Sequence, residues 1–265
     1  MHFRGGDIHV STDGNRHHRH LSSAGKGPTF YNPKHFISKE FVDAVGDEIA
    51  IARKQKPKLV RRRVPDAAVD ACEKSHFAAQ DHQSGQDKFD DQGIMSLVCR
   101  HDIPLFFANI DTPGEEQKYA VALIKHLFSF LPKDANIIAL YDIGCVLDRS
   151  LQLVCLLFYL RLLTSFCQFD ILPNSITSHL VLVTTAMHAY GHQWSCQLVY
   201  NPRLTKGLGL TDGEGVERIW SRLRGLIGIE RRCGVSPTTG ASCTDTVVDA
   251  EAQKNMASGP ADSFY

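Results

Sequence analysis

Residues 136–142 read Asn-Ile-Ile-Ala-Leu-Tyr-Asp, a nearly continuous apolar run that ends in an acid. Such a run is typical of a strand buried on both faces of a sheet. Asp142 would then stand at the carboxyl end of that strand. We therefore expect a sheet with helices packed on it and an acidic residue at its edge.

Three further strands are predicted upstream of this run. Residues 8–12 alternate and are rich in β-formers, while residues 94–98 and 105–110 are short apolar runs bounded by polar residues. Residues 13–15 read Asp-Gly-Asn, a strong turn signal. The first strand should therefore end before Asp13.

Residues 31–92 look like an insertion between the first and second strands. Within it, Ser38 can cap the free N–H groups of an amphipathic helix. A short helix is predicted from Asp66 to Ala79, between a basic, Pro-broken loop over 54–65 and a polar loop over 80–92.

Downstream, residues 112–115 read Thr-Pro-Gly-Glu, a capping box that predicts the start of a helix there. Residues 179–189 can be helical, and residues 211–214 are a further start signal for a helix that continues over 217–226. The resulting order of strand, insertion, two strands, helix, buried strand and helices is that of a ribonuclease-H-like α/β fold. Its mixed sheet would have flanking helices and an insertion after the first strand.

Composition excludes several classes of protein. Lys and Arg total 29 and Asp and Glu total 29, so the formal net charge is +0, which excludes a globally basic nucleic-acid binder. The N-terminus has no apolar core, so no signal peptide is expected. Residues 151–163 are apolar, but they are too few for a membrane span and Arg161 interrupts them. We expect one core domain over 1–230, with a disordered or divergent tail over 231–265.

Two acids follow strands that are neighbours in such a fold. Asp13 and Asp142 would therefore meet, and two close carboxylates repel each other unless a cation lies between them. Hard oxygen ligands suit Mg²⁺ or Mn²⁺. Glu214 or Glu217, on one face of the last helix, could supply a third acid. The alternative is that Asp13 is a turn residue, Asp142 a helix cap, and the two glutamates partners of a helix dipole.

Cysteines and histidines form a second pattern. Cys99 and His101 are two residues apart, and His188, His192 and Cys196 would share one face of a single helix. Thiolate and imidazole ligands are typical of structural zinc, and Cys145 is a further candidate ligand. Buried core cysteines and histidines are the alternative. The basic clusters at 17–20 and 61–63 could face a phosphate backbone or simply lie in solvated loops.

Several segments together resemble the Kyakuja-Dileera-Zisupton (KDZ) transposases, a family abundant in mushroom-forming fungi. The similar segments are DGNRHHRHLSS (13–23), VCRHDIPLFFANIDTPGEEQKYA (98–120), LYDIGC (140–145), TTAMHAYGHQWSCQLVYNPR (184–203) and GLGLTDGEGVERIWSRLRGLIGIER (207–231). The combination is much more specific than any single motif. Residues 151–168 interrupt the family pattern, and we interpret them as an atypical insert that arises from a retained intron or another gene-model error.

The resemblance implies the core of a DDE-type transposase, here truncated, that cleaves and joins DNA at transposon ends. Asp13, Asp142 and Glu217 would be the catalytic acids that hold Mg²⁺ or Mn²⁺, with Glu214 as the alternative third acid. It also implies a nuclear location and allows a homo-oligomer. The competing interpretation is a catalytically inactive transposon remnant that acts as a zinc-stabilised DNA-binding or interaction module.

Overall fold

A computed structural model of the chain shows a mixed α/β architecture. The residues that it describes are 7–25, 27, 33–54, 63–80, 88–152, 171–234, 245, 248–251 and 253–254. Most of the apolar insert (153–168) and much of the tail after residue 234 lie outside them. Every helix in this described part is too short or too polar to cross a bilayer.

Within the described residues, seven strands form two sheets. The strands are β1 (Ile8–Asn15), β2 (His20–Leu21), β3 (Phe89–Asp91), β4 (Gly93–Cys99), β5 (Pro104–Ile110), β6 (Ile137–Tyr141) and β7 (Leu180–Val183). The main sheet has the order β5-β4-β1-β6-β7, and β2 pairs with β3 in a small second sheet. In the main sheet, β1 is antiparallel to β4 and parallel to β6. The sheet is therefore mixed, as the sequence predicts.

Helices pack on both faces of the main sheet. They are α1 (Lys39–Arg53), α2 (Asp66–Gln80), α3 (Gln117–Phe130), α4 (Gly144–Gln152), α5 (Asn174–Thr177), α6 (Ala186–Ala189), α7 (Trp194–Tyr200), α8 (Gly215–Leu223) and α9 (Ile227–Glu230). Because side chains alternate along a strand, Met95 and Leu97 join the core beneath α1 and α3. Ile94 and Val98 point the other way and pack against Trp220 of α8.

Local signals explain several helix boundaries. Ser38 caps α1 as predicted, because its side chain accepts a hydrogen bond from the Phe41 N–H at 3.3 Å. The predicted helix over 66–79 is confirmed as α2, and the buried run before Asp142 is confirmed as β6. Within the tail, residues 248–251 are helical, and Val248 is fully buried.

Two predicted boundaries are wrong. The turn signal at 13–15 does not end β1, because Gly14 and Asn15 stay paired with Met95 and Ile94 of β4. Residues 179–189 are not one helix: Leu180–Val183 form β7, which pairs in parallel with β6, and only α6 at the end of the segment is helical. Pairing with a buried strand has overridden the local helical pattern.

The predicted capping box is also wrong. The helix α3 begins at Gln117, and its N-cap residue Glu116 makes no side-chain cap. The Thr112 hydroxyl instead donates a hydrogen bond to the Gly114 carbonyl at 2.6 Å. Residues 112–116 therefore form a turn before the helix. This turn leaves the Glu115 side chain available for another role.

Candidate functional site

The register of the main sheet brings the two predicted acids together. Thr12 of β1 is the partner of Tyr141 of β6 in a parallel pair, so Asp13 and Asp142 follow at the same level of adjacent strands. Asp142 is only 8% exposed and lies between β6 and α4. Asp13 is partly buried and is still inside β1.

A third acid, Glu115, lies at the same place and was missed from the sequence. Its side chain is buried, and Oε1 accepts a hydrogen bond from the Tyr141 hydroxyl at 2.8 Å. Its Oε2 occupies the space beside Gly14, where an added Cβ would approach it to 2.6 Å. The sequence carried a misleading signal here, because the Thr-x-x-Glu spacing indicates a helix cap.

The two glutamates of the last predicted helix differ in position. Glu217 is exposed in the first turn of α8, and its negative charge acts on Asp13. Glu214 precedes the helix, and its Oε1 accepts a hydrogen bond from the Met187 N–H at 2.8 Å. Glu217 therefore acts on Asp13, while Glu214 holds the start of α6.

Burial and like charges raise the pKa values of this group. Burial raises the pKa of Asp13 well above its usual range, and the charges of Asp142, Glu115 and Glu217 add to the effect. Burial and then Asp142 raise the pKa of Glu115 to about 7, although the Tyr141 hydrogen bond opposes this. The arrangement concentrates negative charge, which a divalent cation with a preference for oxygen ligands would relieve.

His188 lies with these acids rather than with cysteines. Its Nε2 is 3.7 Å from Oδ2 of Asp142, and its Nδ1 shares a 2.9 Å hydrogen bond with the Thr185 hydroxyl. The predicted single helix through His188, His192 and Cys196 is wrong, because α6 ends at Ala189 and α7 begins at Trp194. The break lets His188 and His192 reach different partners.

A second group gathers Cys72, Cys145, His192 and Cys196. One donor atom of each residue lies within 4.8 Å of all the others, so this group could hold a metal such as zinc. The Cys145 Sγ is 3.4 Å from His192 Nδ1, and the Cys72 and Cys196 sulfurs are 3.8 Å apart. Three of the four residues are buried.

Hydrogen bonding makes one thiol of this group acidic. Bonds from Cys145 first, and also from His192 and Cys72, lower the pKa of Cys196 to about 5. The same pairing and burial raise the pKa of Cys145. A thiol that is easily ionised is a good metal ligand, because the thiolate is the form that binds.

The composition of this group differs from the predicted set. His192 and Cys196 belong to it, and Cys145 joins as the further candidate. Cys99 instead ends β4 and His101 lies in the turn that follows, with Sγ and Nδ1 3.8 Å apart. Cys72 was missed because it is a lone cysteine in α2, and only the packing of α2 against α4 and α7 brings it close.

The basic cluster at 17–20 is largely an internal structure. His18 is buried and pairs with Glu230 at 2.5 Å, and His20 pairs with Asp90 at 2.6 Å. Of the four side chains, only His17 is exposed. The cluster therefore connects β1 and β2 to distant segments, and it is not an open phosphate-binding loop. Arg61 and Arg62 lie outside the described residues.

Comparison with known families agrees with this geometry. The family model of the Kyakuja-Dileera-Zisupton transposases matches residues 7–237, which is most of the chain. No curated protein and no solved structure matches the chain. The chain therefore belongs to the KDZ transposase family. Its membership suggests a transposon-derived function and DNA binding.

Proposed function

We propose that this member of the KDZ transposase family is a DDE-type catalytic core of ribonuclease-H-like fold. Its activity would be divalent-cation-dependent cleavage and joining of DNA phosphodiesters. Asp13, Asp142 and Glu217 would be the acids of the site. The mixed sheet, with β1 between an antiparallel and a parallel neighbour, supports the fold assignment.

The observation that carries the proposal is the register between β1 and β6. Pairing of Thr12 with Tyr141 sets Asp13 and Asp142 side by side at a place where α8 also presents a glutamate. Two of these acids belong to regular strands or their ends, so the backbone fixes their positions before any ligand binds. Such preorganisation lowers the cost of assembling a charged site.

Glu217 supports the proposal better than Glu214 as the third acid. It is exposed to an incoming ligand, and its charge is one of those that raise the pKa of Asp13. Glu214 is already bonded to the Met187 N–H. The carboxylate oxygens fit Mg²⁺ or Mn²⁺, which prefer such ligands. When bound, these cations would supply a stronger nucleophile and stabilise charge on the leaving oxygen.

The Cys72, Cys145, His192 and Cys196 group supports a structural zinc site in the same protein. Cys72 comes from α2, Cys145 from α4, His192 from the turn before α7 and Cys196 from α7 itself, so a metal would hold these elements together. Structural zinc sites of three cysteines and one histidine are closed and four-coordinate. Metal analysis of the purified protein should then find about one zinc per chain, and a stably folded, metal-free protein would contradict this.

A plasmid-nicking assay tests the proposed activity. Purified protein should convert supercoiled DNA to the nicked form with Mg²⁺ or Mn²⁺ and not with a chelator. Asp142→Ala should abolish this activity, while Asp134→Ala, which changes an exposed acid between α3 and β6, should not. Nicking that survives in Asp142→Ala would overturn the assignment. DNA binding without cleavage by the wild-type protein would favour the inactive, zinc-stabilised remnant.

A further inference from the structure

His20, Asp90 and Asp91 form a further group of possible metal ligands, and none of them belongs to the acidic group or the cysteine group described above. One donor atom of each residue lies within 4.8 Å of the others. His20 is buried, Asp91 is half-buried and Asp90 is exposed. The Nδ1 atom of His20 is 2.6 Å from Oδ1 of Asp90. The group therefore offers one imidazole and two carboxylates in a place that solvent reaches from the Asp90 side.

A bulge in the small sheet explains why two adjacent acids face one histidine. In the antiparallel pair of β2 and β3, His20 is opposite Asp91. The next pair joins Leu21 to Phe89, so the register skips Asp90. Side chains alternate along a regular strand, so adjacent acids would normally point to opposite faces. At a bulge two residues oppose one, and here both acids come close to His20.

The second ring nitrogen of His20 determines which atom can bind a metal. Nε2 is hydrogen-bonded to the backbone carbonyl of Cys233, in the segment that follows α9. Because a carbonyl oxygen only accepts hydrogen bonds, Nε2 carries a proton and Nδ1 is the nitrogen that can present a lone pair. Metal-binding histidines almost always have such a partner, which orients the ring. His20 is therefore arranged as a ligand, with Nδ1 directed at Asp90.

The charges around this group favour a divalent cation. Two carboxylates carry more negative charge than one imidazole can balance, and Asp245 adds a further negative charge near Asp91. Lys39 also acts on Asp91, but it is already paired with Asp111. Like charges held close together are costly unless a cation lies between them. A dication among the three residues would balance both carboxylates at once.

We propose that His20, Asp90 and Asp91 bind a zinc ion through Nδ1 of the histidine and one oxygen of each acid. Imidazole and carboxylate are both ordinary zinc ligands, whereas Mg²⁺ prefers oxygen ligands alone. Three protein ligands leave one position of a tetrahedral ion to water. The ion would fasten β2 to β3, beside the segment after α9, whose Arg231 carbonyl accepts a hydrogen bond from the Leu21 N–H at 3.1 Å.

The donor atoms need only small movements to form this site. Two ligands of a tetrahedral zinc ion lie about 3.3 Å apart. His20 Nδ1 and Asp90 Oδ1 are closer than this, so Asp90 has to withdraw slightly. Its side chain is 43% exposed, so it has room to do so.

This site should hold its ion less tightly than the cysteine group does. It has no thiolate, the softest of the zinc ligands, and one of its acids is exposed to solvent. Purified and dialysed protein should therefore contain only the zinc of the cysteine group. The site at His20 should fill when zinc is added.

Calorimetric titration with Zn²⁺ tests the proposal. The dialysed full chain is titrated in excess Mg²⁺, which suits the all-oxygen ligands of Asp13 and Asp142. We expect the wild type to bind about one further zinc ion per chain. Asp90→Asn should weaken this binding by about 10-fold or more. The asparagine can still accept the hydrogen bond that Asp90 receives from the Asp91 N–H, so the local fold is preserved.

Two matched variants detect zinc that binds elsewhere. Asp134→Asn removes the same charge from an exposed acid between α3 and β6, and His17→Gln removes the exposed imidazole of the same histidine run. Both should bind the further zinc ion as the wild type does. Loss of binding in His17→Gln with retention in Asp90→Asn would place the ion on the open histidine and overturn the proposal. A wild type that binds no further zinc would also overturn it and leave His20 and Asp90 as a structural ion pair.

Thermal melting gives a second readout that does not depend on DNA cleavage. Added Zn²⁺ should raise the melting temperature of the wild type more than that of Asp90→Asn, because an ion that binds only the folded state stabilises it. Both measurements compare the wild type with one variant, so they count this site alone, whatever the cysteine group or the acidic group holds. Equal stabilisation of the two proteins by zinc would contradict the assignment.

Discussion

The Nε2 atom of His188 lies 3.7 Å from Oδ2 of Asp142, and four residues later His192 lies 3.4 Å from the sulfur of Cys145. The same two chain segments are thus paired twice. One pair belongs to the acidic group and the other to the cysteine group. The proposed zinc site and the proposed catalytic site therefore share a short stretch of backbone on each side.

This double pairing predicts different roles for the two histidines. His192→Ala should lose the bound zinc, because it removes one of four ligands. His188→Ala should retain about one zinc per chain, because its partner is Asp142. Metal analysis by inductively coupled plasma mass spectrometry checks both variants. Loss of zinc from His188→Ala, with retention in His192→Ala, would reverse the assignment.

The two glutamates near the start of α8 are predicted to differ in their effect on DNA cleavage. Glu217→Gln should slow nicking by about 100-fold or more, since a ligand of a catalytic cation supplies several kcal/mol of transition-state stabilisation. Glu214→Gln should change the rate by about twofold or less, because the amide oxygen can still accept the bond from Met187. Initial rates in Mn²⁺ measure both. A larger effect at Glu214 would make it the third acid.

The raised pKa of Glu115 predicts that the stability of the cation-free protein depends on pH. Its pKa rises from an ordinary 4.5 to about 7 on folding, so between these values the folded state holds a proton that the unfolded chain has lost. Stability should therefore fall as the pH rises through this range, by about 3 kcal/mol from this group. Below pH 4.5 this group no longer makes stability depend on pH, because both states are protonated and its full stabilisation relative to high pH is retained.

Urea unfolding between pH 4.5 and 7 measures this effect, and Glu115→Gln is the control. The difference in unfolding free energy between the two proteins isolates Glu115 from the cysteine group, which titrates in the same range. The wild type should lose stability relative to the variant as the pH rises. A difference that does not change with pH would show that Glu115 is ionised throughout.

Part of the fold follows directly from sequence patterns. The apolar run before Asp142 is β6, and Ser38 caps α1, because both depend on local chemistry. The strand β7 could not be found in this way. Its four residues are a short apolar run that leads directly into the helical residues 186–189, and such a run does not distinguish a buried strand from a helix. The parallel pairing with β6 identifies it as a strand.

The residues of the candidate site also fall into two groups, those that the sequence predicts and those that only the folded structure identifies. Asp13 and Asp142 follow from the predicted strands, since adjacent strands bring their acids together. Glu115 and Cys72 could not be identified, because each is an isolated residue whose partners lie far away in sequence. The Thr-x-x-Glu spacing at 112–115 even predicts that Glu115 caps a helix, whereas its carboxyl accepts a hydrogen bond from the Tyr141 hydroxyl.

The most direct test of the central claim is the single-turnover rate of plasmid nicking by Asp13→Asn and Asp142→Asn. Both variants should lose about 1,000-fold or more of the wild-type rate, because residues that act as one unit fail together. Both should keep their zinc, which shows that the fold is intact. Wild-type cleavage by either variant would contradict a shared cation site at the junction of β1 and β6.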